Sequence, residues 1–181
     1  MEDIHMNGSK NQFIETVRSC LSQLGLPVRK AFQEYSITCV DSEFNYADEP
    51  IGIRLLVDSD DEVLVIVLAY GPVPKEKLSV VHELISRINT LLVVGKYAMD
   101  PDTGYLILQA GTCINDDILN EKDVLKLLKR VLSENFKYGR LIEEQVKSAS
   151  SPAEIMGKFL RGEIEPCKCF MRLEEEKCKL H

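Results

Sequence analysis

Residues 83–108, ELISRINTLLVVGKYAMDPDTGYLIL, pack the second half of an amphipathic helix, a glycine stop and a tight β-hairpin into one run. No other stretch of the chain leaves so few foldings open. Leu78, Val80, Val81, Leu84, Ile85, Ile88, Leu91 and Leu92 recur at helical spacing and predict a helix from Lys75 to about Leu92. Placed around a helical wheel, their arc spans about 160°, whereas covering a single core takes an apolar stripe of about 100° or more. That excess predicts a helix touching two surfaces, its own sheet and something else. Val81, Leu84, Ile88 and Leu91 are the side chains expected at a dimer or partner interface. Gly95 stops the helix, and residues 96–100 and 105–110 predict two short strands. Between them Asp100, Pro101, Asp102, Thr103 and Gly104 supply turn chemistry, with Gly104 free to take φ > 0.

The remaining elements arrange themselves around this run. Phe13, Ile14, Val17, Leu21 and Leu24 predict a helix from Asn11, ended by Gly25 and Pro27. Tyr35, Ile37 and Cys39 alternate with Ser36 and Thr38, as do Ile51, Ile53, Leu55 and Val57 with their neighbours, predicting two half-buried strands. Residues 41–50 between them read as an acidic loop carrying Phe44 and Tyr46. After a polar turn at residues 58–62, residues 63–70 are continuously apolar and predict a central strand, paired antiparallel through the short connection. Asn120 caps a third helix running toward Lys147, with a bend expected at Gly139. Ser151, Pro152, Ala153 and Glu154 form a helix-start signature for a short helix at residues 152–161. The expectation is an α+β domain of order α-β-β-β-α-β-β-α, an antiparallel sheet covered by helices, over residues 11–162. Residues 1–10 are expected to be a flexible N-terminus and residues 163–181 a polar, cysteine-bearing tail.

Charge narrows the function classes. The net charge is −7, and residues 31–74 hold Arg54 as their one cation against nine acids. An acidic chain without a basic stripe is poorly suited to a phosphate backbone, so no nucleic-acid partner is expected. No apolar run approaches the roughly 20 residues needed to span a bilayer. The opening residues lack a signal-peptide apolar region, so the expected location is cytoplasmic, with no membrane partner.

Each chemistry-bearing residue has a structural reading beside the functional one. Cys20, Cys39 and Cys113 lie within apolar patterns and read as small buried hydrophobes. Cys167, Cys169, Cys178 and His181 match the ligand count of a zinc site, though not the usual two to four residues between paired cysteines; the alternative is a solvated tail. Asp100, Asp102 and Gly104 resemble the opening of a calcium loop but lack its third ligand and closing Glu, leaving the turn reading. His82 falls at the polar edge of its helix and reads as a packed histidine rather than a partner for Cys39 or Cys113. No phosphate loop, nucleophile elbow or zinc-protease motif is present in the sequence. Neither a catalytic role nor a cofactor is expected.

The run of Ile88, Asn89, Gly95, Lys96, Tyr97, Asp100, Gly104, Leu106 and Leu108 resembles the YbjN family of bacterial proteins, labelled sensory transduction regulators. In that family a helix carrying Asn leads into a Gly-Lys-aromatic strand and an Asp/Gly hairpin. Residues 138–155, a helix end followed by Ser-Pro-Ala-Glu, are similar to its C-terminal portion. The resemblance implies a type III secretion chaperone-like fold over residues 11–160 and a small acidic homodimer that binds an unidentified protein client. Two alternatives accompany this reading: a dedicated secretion chaperone for an effector client, and a thiol- or zinc-dependent protein using the C-terminal cysteines. Fold analogy by itself assigns no function.

Overall fold

The computed structural model describes residues 3–46, 49–58, 60, 62–114 and 120–165, which form four α-helices, a short 3₁₀ turn and six strands. The strands pair in the order β1-β2-β3-β4-β6-β5. The class is α+β with an antiparallel sheet, as expected. The chain divides into two compact units, each assembled from separate stretches.

The first unit takes the chain up to Ala69 together with Gln109–Lys129. Helix α1 runs Asp3–Gln23, starting eight residues earlier than the apolar spacing indicated. Its Phe13, Val17, Cys20 and Leu21 are buried at helical spacing, as is Leu24 just past its end, and the helix packs on the first two strands. Those strands, β1 (Val28–Glu34) and β2 (Ile37–Tyr46), pair as a hairpin whose turn places Tyr35 at φ 54°. Strand β3 (Glu49–Asp58) pairs with β2 from Tyr46↔Glu49 to Ile37↔Asp58, and β4 (Val63–Pro72) continues the meander from Asp58↔Val63.

Two elements here differ from expectation. Strand β1, reading VRKAFQE, has no clean alternation and was not foreseen. The presumed acidic loop is instead the second half of β2 running into β3. Acids sit in this strand because cations on the adjoining strands meet them. Arg54 Nε and Nη2 donate to the two Asp41 carboxylate oxygens at 2.7 and 2.9 Å, and Arg29 pairs with Glu43. Opposite charges directly across a ladder stabilise it where a lone acid would not.

The second unit takes Tyr70–Leu108 and the chain from Arg130 onward. A 3₁₀ turn at Lys75–Lys77 leads into α2 (Leu78–Asn89), then β5 (Lys96–Met99) and β6 (Tyr105–Cys113), whose second half belongs to the first unit. Helix α3 (Glu121–Lys147) runs through both units and continues past Gly139 without a break. Lys77 Nζ donates to the carbonyl of Ser148, where α3 ends, putting a cation at the negative end of the helix.

Helix α4 (Pro152–Leu160) begins at the foreseen signature. Ser151 Oγ accepts from Glu154 N–H at 3.3 Å, and the Glu154 carboxylate accepts from Ser151 N–H at 2.7 Å. A nine-residue helix is marginal on its own, so the cap and the burial of Ile155 and Pro152 hold it. Ser151→Ala is expected to cost about 1 kcal/mol. That corresponds to a fall of about 2–4 °C in thermal midpoint for a chain of this size, measurable by circular dichroism.

Candidate protein-binding surface

Helix α2 was expected to offer Val81, Leu84, Ile88 and Leu91 to a partner. The structure places the first three in the interior of the single chain, with no exposed area, and leaves only Leu91 at the surface, 41% exposed. The physical reason is α4. Helix α2 packs against β5 and against α4, so the second surface demanded by its wide apolar arc lies within the same chain. Side chains without exposed area make no contact with another molecule, so Val81, Leu84 and Ile88 are core residues here. Beyond α2, the exposed large apolar side chains among the described residues of this unit are Val93, Tyr105 and Leu160.

The residues that carry the family resemblance are employed in holding the fold. Asn89 Nδ2 donates to the Tyr97 carbonyl at 2.9 Å, and its Oδ1 accepts from Tyr97 N–H at 2.8 Å. The Tyr97 ring is buried against Tyr70, with centroids 6.2 Å apart, and Tyr70 Oη donates to Asn135 Oδ1. Burial pushes the Tyr97 phenol well above its ordinary value, only partly opposed by the Tyr70 hydrogen bond, so it stays protonated. Gly104 takes φ +74°, as its place in the turn predicted.

The hairpin carboxylate serves the turn. Asp100 Oδ1 accepts from Thr103 N–H at 3.1 Å and from Asp102 N–H at 2.8 Å. These bonds hold its carboxyl below the ordinary value. His82 is exposed on α2 rather than packed, and belongs to the second unit, whereas Cys39 and Cys113 belong to the first. Cys20 and Cys39 are buried as expected, while Cys113 is exposed. Burial raises the Cys20 thiol to about 11 and pushes Cys39 upward too, which suppresses the nucleophilic thiolate. Cys167, Cys169, Cys178 and His181 lie outside the described residues. Among the described residues no three His, Cys, Asp or Glu side chains gather as a metal site, and no helix is long and apolar enough to cross a membrane.

The surface that sequence reasoning missed lies on the first unit's sheet. Strand alternation sends Val40, Ile53, Leu55, Leu64, Ile66 and Leu68 to the buried side. On the opposite side the register lines up Phe32, Cys39, Leu56 and Val65 across four strands, and next to them Lys30, Asp41, Arg54 and Val67. Phe32, Leu56, Val65 and Val67 are half-exposed. Lys30 Nζ sits 4.6 Å and Arg54 Cζ 5.4 Å from the Phe32 ring centroid, so cations flank an aromatic face. The face comprises a partly wet apolar ladder edged by charges of both signs. The sequence does not reveal it because β1 lacks strand alternation, and without β1 Phe32 has no place in the row.

No protein-family profile and no curated protein sequence matches the chain. Solved structures do. An uncharacterized protein from Methanothermobacter thermautotrophicus is similar at 16% identity and TM-score 0.49, over 73% of this chain and 97% of the other. The HopA1–SchA chaperone–effector complex gives 11% identity and TM-score 0.44, over 77% and 97%. YbjN from E. coli gives 13% identity and TM-score 0.46, over 74% of this chain and 89% of the other.

Proposed function

We propose that the chain is a non-catalytic protein-binding module, chaperone-like or regulatory, which holds an extended segment of a client against the half-exposed sheet face of its first unit. The observation that carries this reading is the apolar patch of Phe32, Leu56, Val65 and Val67, with Lys30, Asp41 and Arg54 beside it. An extended peptide lays alternate side chains on such a face, and contiguous apolar surface rimmed by charge is where partners dock. Self-association as a homodimer belongs to the same proposal, with Leu91 and neighbouring Val93 as its apolar contacts.

Two substitutions separate the parts. Val65→Lys places a charge where water already reaches, so the protein should remain folded. In paired pull-downs from native lysate it should lose most of the proteins retained by wild type while keeping the wild-type size in light scattering. Leu91→Asp should shift the size toward monomer and leave the thermal midpoint within about 2 °C, since exposed substitutions cost about 0.5 kcal/mol or less. A Val65→Lys protein that captures the same set as wild type would sink the client face. A wild type that is monomeric at every concentration would sink the dimer.

A further inference from the structure

Strand β5 ends the sheet and has a neighbour, β6, on one side only. Its four residues, Lys96–Met99, are followed by the turn in which Asp100 N–H donates to Tyr105 O at 2.9 Å. Residues bonded to a given neighbour alternate along an antiparallel strand. Counting back from Asp100, Ala98 and Lys96 turn their backbone groups toward β6, while Met99 and Tyr97 turn theirs outward. An outward row of unpaired N–H and C=O groups is a template for another strand. At Tyr97 that template is already filled, because the Asn89 carboxamide takes both groups, at 2.8 and 2.9 Å.

A primary amide presents one acceptor and one donor side by side, the same pair that a residue of an adjoining strand offers. Asn is also a weak helix former, so its place as the last residue of α2 owes little to helix propensity. Beyond Tyr97 the only outward pair left on β5 is that of Met99, and Pro101 cannot extend the edge because it has no N–H. We infer that Asn89 closes the β5 edge of the sheet, its carboxamide standing where a further strand would pair, so that a second copy of the chain cannot add there edge to edge. A short strand and a proline restrict the rest of that edge.

The test compares wild type with Asn89→Ala, using sedimentation velocity across a wide concentration range and amide hydrogen exchange by NMR. In dilute Asn89→Ala the Tyr97 amide should exchange about 10–100-fold faster than in wild type, with Ala98 and Leu106 unchanged. With rising concentration the variant should form species larger than any wild type forms, in which Tyr97 is protected again. Adding Met99→Pro, which removes the remaining outward N–H, should return the wild-type size. Should Asn89→Ala fail to fold, Asn89→Ser is read the same way, since its single short hydroxyl lacks the side-by-side acceptor and donor of the carboxamide. A folded Asn89 variant that never exceeds the wild-type size would overturn the inference and leave Asn89 a local loop clamp. So would larger species that persist with Met99→Pro in place.

Discussion

Gly104→Ala is expected to lower the thermal midpoint by about 10 °C, a far larger effect than alanine has at most glycines. Two costs add at this position. With φ at +74°, an L-side chain sits in the left-handed region, at about 1–2 kcal/mol. A Cβ built there would also lie 2.8 Å from the Val73 carbonyl oxygen and 3.1 Å from Leu78 Cδ2, and overpacking of this kind costs a further 1–3 kcal/mol or so. Relief by movement is constrained, because Val73 N–H donates to Gly104 O at 2.9 Å and Gly104 N–H donates to Asp100 O at 2.8 Å. Gly25→Ala is the control. It has a similar φ of +69° but nothing within 4 Å of its Cβ, so only the backbone term applies and the shift should be about 2–8 °C. Equal shifts in the two variants, measured by scanning calorimetry, would show that the close approach to Val73 is not rigid.

The elements legible in the sequence are those whose chemistry is local. Asp100 and Gly104 define their turn within five residues, and Ser151 and Glu154 cap α4 within four, so no distant partner is needed to read them. What escaped reading depends on neighbours far along the chain. The acids of β2 look like loop residues until Arg54, thirteen positions away from Asp41, and Arg29, fourteen away from Glu43, are placed beside them. Strand β1 is edge-located and polar, and its Phe32 becomes meaningful only in register with Cys39 and, one strand further, Leu56. Helical periodicity showed that α2 needed a second surface. It carried no information on whose surface that was, and the answer, α4, lies some seventy residues later in the chain. The candidate site moved for that reason, from a helix face that the chain covers itself to a sheet face assembled from four strands.

Leu84→Asp tests that relocation directly, and it is expected to abolish the folded state. Leu84 has no exposed area, so the substitution forfeits about 2–3 kcal/mol of apolar burial. It also places a carboxylate without a partner in the interior, which costs several kcal/mol more. A domain stable by about 5–15 kcal/mol has little left after both losses. The carboxyl would respond by raising its pKa in the folded state. The sign follows: the penalty is absent below the ordinary carboxylate value, where folded and unfolded chains are both protonated, and grows as pH rises above it. Urea titrations should therefore show the deficit of Leu84→Asp shrinking at acid pH, whereas Leu91→Asp, at an exposed position, should track wild type throughout. If Leu84→Asp instead melts within a few degrees of wild type and changes only the size of the assembly, that face of α2 is open to solvent, and the partner surface returns to the helix where its periodicity first placed it.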